Sequence, residues 1–192
     1  SVNWTARLGD AQTTNGFNAV AVDSNGYVYA VGYTTTTNLA NSVPGYQVNG
    51  VTYGSRLKGN TDALVVKFAP DGNIVWTCYL GGTNADSANA CAVAADGSLY
   101  VGGQTRSPDW ASLPSGTPSP SNADAFVVKL TSSGTHVWSA FLGGSAADAV
   151  TALAKDPSSP VLYLGGFTAS SDFSSGATRL SDPLFSNIDI PP

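Results

Sequence analysis

Apolar residues in this chain come in short runs, several alternating with polar positions, and each run is bounded by clusters of Gly, Asn, Asp and Ser. No stretch shows the spacing of an amphipathic helix. Four kinds of run recur in a fixed order, which predicts strands a to d of a repeating unit. Strand a is Ala-rich (18–22, 90–94 and 151–155). Strand b carries Tyr-x-x-Gly (27–34, 98–105 and 161–168). Strand c is the Val-Val-Lys run (63–68 and 125–130), and strand d carries Trp (2–8, 73–80 and 135–142). Asn25-Gly26 and Asp96-Gly97 predict tight a–b turns, and Asp71-Gly72 and Ser133-Gly134 predict tight c–d turns, because such turns need a residue that tolerates positive φ. Pro157 and Pro160 predict a looser turn in the third unit.

The units align through equivalent residues: Trp4, Trp76 and Trp138; Leu8, Leu80 and Leu142; Tyr29, Tyr100 and Tyr163. These are read as the repeated structural core. Antiparallel four-stranded units at a spacing of 72 and then 62 residues (Trp4 to Trp76 to Trp138) predict an all-β fold of the β-propeller type, with about three blades and the small strand a innermost. The blade units are placed at 17–80, 88–142 and 150–192, the last completed by the d strand at 2–8, with 185–190 as a weak c strand. Three blades cannot close a ring of the usual size. The open ends would expose strand edges and apolar faces, so completion by assembly or by further chain is expected.

The sequence Asp62-Ala-Leu-Val-Val-Lys-Phe68 (Asp124-Ala-Phe-Val-Val-Lys-Leu130), then Trp76-Thr-Cys-Tyr-Leu-Gly-Gly82 (Trp138-Ser-Ala-Phe-Leu-Gly-Gly144), then Tyr100-Val-Gly-Gly-Gln-Thr105 (Tyr163-Leu-Gly-Gly-Phe-Thr168) resembles the bacterial seven-bladed-propeller (SBBP) type of repeat. The resemblance covers most of the chain outside its long loops. It implies an exported bacterial or archaeal surface propeller, usually part of a larger protein, with no shared catalytic residues. The long b–c insertions and the small number of blades depart from that pattern.

Composition narrows the function classes. Charged residues make up only 11% of the chain, against about 25% in ordinary soluble domains, so polarity comes from hydroxyls and amides. That suits an extracellular or cell-surface protein. A net charge of −5 with eight scattered Lys and Arg argues against nucleic acid, and no apolar run is long enough for membrane insertion. With no Met among the 192 residues, the sequence predicts either a processed, exported form or a segment of something longer.

Candidate chemistry concentrates on the face carrying the b–c loops (35–61 and 106–123) and the d–a loops. Loops of that length are usually functional. Tyr46, Tyr53 and Trp110, with Arg56, Arg106 and Asp109, are candidate ligand-binding residues, although such aromatics also serve to pin their own loops or to pack against subunits. Asp86 and Asp148, and Asp62 and Asp124, repeat in position but lack the converging oxygens of a calcium site, and they read as turn caps. No metal site and no cofactor is predicted. Cys78 and Cys91 fill small apolar slots, Ala and Val in the other units, so they are read as buried thiols with no disulfide. His136 has no acid partner in sequence and reads as a solvated strand residue. Asn3, in Asn3-Trp4-Thr5, and the hydroxyl run at Thr35 and Thr36 are candidate glycosylation positions. No nucleophile elbow, phosphate loop or Cys/His cluster is present in the sequence. The expected function is therefore a non-enzymatic extracellular structural or interaction module, self-associating or joined to other segments of a surface protein. The alternative is a lectin-like or adhesive propeller that binds glycans or protein on its long-loop face.

Overall fold

The computed structural model describes residues 4–8, 13–37, 39, 46–48, 51–54, 56–110, 122–156 and 161–173, with the side chains of 46–48 and 51–53 not included. Twelve β-strands lie in this set. The first blade is β1 (Asn15–Val22), β2 (Val28–Thr34), β5 (Asp62–Phe68) and β6 (Ile74–Leu80), antiparallel in the order β1-β2-β5-β6. The second blade is β7 (Asp86–Val93), β8 (Leu99–Thr105), β9 (Asp124–Leu130) and β10 (His136–Leu142), in the same order from β7 to β10. The third unit is the two-stranded sheet of β11 (Asp148–Lys155) and β12 (Leu162–Thr168). A short hairpin, β3 (Tyr46–Val48) and β4 (Val51–Tyr53), lies inside the first b–c loop, where no strand was expected. The protein is all-β and is built of propeller-type blades.

Local chemistry explains the strands. Each tight turn is closed by an N–H of glycine donating to the carbonyl three residues back, as Gly26 does to Asp23 and Gly134 to Thr131, both at 3.0 Å. The glycines sit at φ between 79° and 88° (Gly26, Gly72, Gly97 and Gly134), where a side chain would be strained. Strand a of every unit carries a β-bulge: the register shifts between Phe17 and Ala19, between Ala88 and Ala90, and between Val150 and Ala152. Opposite each bulge stands a glycine of strand b. A Cβ on Gly103 would run into the backbone carbonyl of Ser87, and Gly32 and Gly166 face Gly16 and Ala149 in the same way. The Gly of Tyr-x-x-Gly-type runs is thus the room that a bulged neighbour requires.

The blades stack through their faces. One apolar cluster joins Tyr29, Val31, Ala63, Val65, Trp76 and Cys78 of the first blade to Ala88, Leu99, Val101, Phe126 and Leu130 of the second. Another joins Tyr100, Ala125 and Val127 to Val150 and Leu162 of the third unit. The a strands approach one another, β1 against β7 and β7 against β11, which puts them innermost. Asn18 donates from Nδ2 to the carbonyl of Ala88 at 2.8 Å, and its equivalent Asn89 donates to the carbonyl of Val150 at 3.1 Å, a hydrogen bond repeated at both junctions. Thr151 holds that position in the third unit.

Residues 4–8 are not a regular strand, contrary to the expectation for 2–8, yet they occupy the place of one. Trp76 Nε1 donates to the carbonyl of Ser132 in the c–d turn of the following blade, at 3.1 Å. Trp4 Nε1 donates to the carbonyl of Pro70, the equivalent turn residue of the first blade, also at 3.1 Å. Trp4 and Leu8 pack on Ala30, Leu64, Val66 and Phe68. The segment therefore sits on the first blade as a preceding d strand would, whereas β11 packs on the second blade. Among the described residues the two thus pack on different blades. Residues 185–190 lie outside the described residues.

Gly103→Ala should destabilise the protein by about 3 kcal/mol, the upper end of overpacking costs, because the obstacle is backbone rather than a flexible side chain. Urea unfolding checks this, and a loss below 1 kcal/mol would mean that the bulge relaxes.

Candidate functional site

The long-loop face is organised by a buried carboxylate in each junction. Asp86, at the start of strand a, accepts from the hydroxyl of Thr105, from the hydroxyl of Ser107 at 2.7 Å, from the N–H of Gly82 at 3.0 Å and from the N–H of Arg106 at 3.3 Å. Ser107 Oγ in turn accepts the N–H of Asn84, and Asp109 accepts the N–H and hydroxyl of Thr83, both at 2.8 Å. Part of the set repeats in the third unit, where the Thr168 hydroxyl turns instead to the carbonyl of Ser170. Asp148 accepts from Ser170 Oγ (2.8 Å) and the N–H of Gly144 (3.0 Å), and Asp172 accepts the N–H and hydroxyl of Ser145. In the first unit Asn15 takes the carboxylate's place and accepts from Thr34 and Thr36. These clasps tie the end of strand b to the d–a loop, and they explain Leu-Gly-Gly. A Cβ on Gly82 would meet Asp109 and Ser107, and one on Gly144 would meet Asp172 and Ser170.

Read with the clasps, the sequence holds a longer repeat: Thr34-x-Thr36-x-Asn38-Leu39, Thr105-x-Ser107-x-Asp109-Trp110 and Thr168-x-Ser170-x-Asp172-Phe173. Its last residue plugs the apolar core. Trp110 is 1% exposed and packs edge-on against Phe126 (4.8 Å between ring centroids) and Phe141 (5.4 Å). Leu39 and Phe173 pack against the clusters at the other two blade faces. As a ligand platform Trp110 is therefore corrected to a core residue, and the signal that identifies it is the repeat itself, hidden by the insertions that follow.

The remaining candidates disperse. Arg56 and Arg106 are exposed, and Asp109 is engaged by Thr83. Tyr46 and Tyr53 are cross-strand partners in the β3–β4 hairpin, and their side chains lie outside the described residues. Of the glycosylation candidates, Asn3 lies outside the described residues, the hydroxyl of Thr36 is bound to Asn15, and Thr35 Oγ1 accepts the N–H of Thr14 at 2.8 Å. Cys78 and Cys91 are both free, the first buried and the second half-buried, and burial pushes both thiols up to about 12. His136 is half-buried rather than fully solvated: its Nε2 lies 2.6 Å from Ser139 Oγ, and burial lowers it to about 4. Among the described residues, no group of three or more His, Cys, Asp or Glu is placed to hold a metal ion.

A cavity of about 530 Å³ opens on the opposite, tight-turn face, between the a–b turns of the first two blades. Lys67 forms its inner wall. Its ammonium donates to the carbonyl of Ser132 at 3.0 Å and lies 4.4 Å from the centre of the Tyr27 ring and 5.0 Å from that of Tyr29. Burial holds this ammonium below its usual value. Tyr29 donates its hydroxyl to Asp23, and burial, followed by that carboxylate, pushes it up to about 12. These groups already serve the junction, so the cavity wall is a structural seam.

The end faces differ from the junctions. The strand a positions that face the preceding blade are Ala88 and Cys91 in β7 and Val150 and Leu153 in β11, all packed in junction cores. Their equivalents in β1 are more open: Phe17, whose ring lies edge-on to Phe68 with 6.4 Å between centroids, is 42% exposed and Val20 65%, with Val22 beside them at 57%. At the other end Tyr163 is 59% and Phe167 53% exposed, while Tyr29 and Tyr100 are buried. Tyr163 is thus corrected from core to surface, because the blade that would cover it is not among the described residues.

A family model described as the SBBP beta-propeller repeat matches residues 3–40. The regulatory protein FlaEY of Caulobacter vibrioides is 34% identical over 116 residues, which cover 59% of this chain and 12% of that protein. The aligned part therefore spans about an eighth of that relative's length.

Burial pushes Asp62 up to about 7 and Asp86 to about 6, against the pull of their N–H and hydroxyl donors. Both carboxyls hold a proton more tightly folded than unfolded. Their contribution is complete below about pH 4 and lost as pH rises through 6 to 7. His136 has the opposite sign and acts only between about 6.5 and 4, so the window above pH 6.5 belongs to Asp62. The melting temperature should fall from pH 6.5 to 8, and Asp62→Asn should flatten that slope. A wild-type melting temperature that is level across this window would contradict the assignment.

Proposed function

We propose that this chain, an SBBP-type β-propeller repeat protein, is a non-enzymatic interaction module whose bare end faces are covered by another blade of the same kind. One observation carries the reading. Residues open at the two ends have repeat equivalents packed in the internal junctions: Val20 is the counterpart of the half-buried Cys91, and Tyr163 of the buried Tyr29 and Tyr100. Contiguous apolar surface of this sort marks contact sites in soluble proteins. The described residues of the long-loop face support interaction rather than chemistry, since Asp86, Asp109 and Trp110 are engaged in clasps and core. A relative described as a regulatory protein is in keeping with that. The sparse charge and the hydroxyl- and amide-rich composition support an extracellular or cell-surface setting, within a surface or filamentous assembly. The glycan-binding alternative loses its aromatic platform at Trp110.

Light scattering over a concentration series should give particles heavier than one chain, and Val20→Asp should reduce them while leaving the circular dichroism unchanged. A wild-type chain that remains monomeric at every concentration would sink the reading.

A further inference from the structure

The end faces are not merely apolar; at equivalent positions they carry residues of different size. At each internal junction a strand b residue of one blade faces two strand a residues of the next. In the first junction these are Val31 against Ala88 and Cys91. In the second, Val31 is replaced by Gly102, and a Cβ there would lie 2.6 Å from Val150 Cγ1 and 3.2 Å from Leu153 Cδ1. A larger residue on strand a is thus matched by a smaller one on strand b. The series continues at the two ends of the chain. The strand b position on the β12 face is Gly165, whose Cβ direction meets, among the described residues, only Ala152 at 3.5 Å. The strand a position on the β1 face is Phe17, the largest residue of its set, with Val20 beside it. A residue without a side chain stands at one end, and at the other a large, partly exposed ring that lies edge-on to Phe68.

We infer that the β12 face of one copy of this chain receives the β1 face of a second copy, with Phe17 seated over Gly165 and Tyr163 against Val20. This rests on the interaction-module reading and names its partner. The contact is heterologous, head to tail, so successive copies continue the arc and either close it as a ring or extend it. It is also weaker than an internal junction. The amide of Asn18 or Asn89 that locks each internal pair of a strands has no equivalent here, because Thr151 holds the position and its hydroxyl lies 3.4 Å from the carbonyl of Gly165. Association is therefore reversible and concentration-dependent.

Complementation tests it with the whole chain. Val20→Asp disables only the β1 face and Tyr163→Asp only the β12 face, so each variant alone should run as a monomer. An equimolar mixture should give a complex of twice that mass, since one intact face of each kind remains. Gly165→Leu adds a side chain where Phe17 would sit and should abolish association, and Phe17→Ala in the same chain should restore it at least in part. Face-to-face pairing of like ends would leave one of the two Asp variants associating alone, which overturns the head-to-tail inference while sparing the interaction reading. A mixture with no mass gain overturns it too. If the chain's own residues after 173 cover β12, Tyr163→Asp will lower the melting temperature without changing the mass, and the inference fails.

Discussion

Each blade of this protein is apolar on both faces, and that single constraint governs the rest of the molecule. In the first blade Tyr29, Val31 and Val65 point to one neighbour while Ala30, Leu64, Val66 and Phe68 point to the other. A sheet of this kind cannot hide its surface by folding on itself. It needs a second sheet on each side, and stability accrues from nearest-neighbour junctions as in other repeat proteins. The N-terminal segment shows how strong the demand is: though not a regular strand, it lies on the first blade with Trp4 at the position of a d-strand Trp.

The junctions use three repeated devices with distinct physical roles. Apolar faces supply the area removed from water. Polar crosslinks set the register: Asn18 and Asn89 reach to the next a strand, while the Trp76 indole and Lys67 ammonium share the carbonyl of Ser132. The carboxylate clasps fasten the loop ends. A buried Asp86 would be costly alone, and four donors arranged around it offset that cost while holding the d–a loop against the exit of strand b. The long insertions begin beyond these clasps, which leaves the scaffold unaffected by their length.

Much of the fold was legible in the chain. Turn glycines at 26, 72, 97 and 134 announce themselves because few other residues accept their backbone angles. Strands b, c and d are marked by short apolar runs bounded by turn residues. The role of Trp110 was not legible: its repeat partners, Leu39 and Phe173, differ in type, and the insertions after the first two break the alignment by eye. The partial burial of His136 was missed because its sequence position, at the start of a strand beside a turn, suggests solvent, whereas its ring lies against Ser139 of the same strand. The bulge opposite each strand b glycine likewise has no signature in strand a itself.

The amino-acid sequence by itself determined the repeat, the strand order within each unit and the small residues where backbones approach, since these follow from local conformational limits and from side-chain alternation. Only the tertiary structure decided which face each repeated residue meets, because burial is a property of neighbours. Val20 and Cys91 occupy the same place in the same strand, yet one lies open and the other packs in a junction. Tyr163 differs from Tyr29 and Tyr100 only in what stands beside it. In a protein assembled from nearly equal units, position along the arc, rather than residue type, separates core from surface.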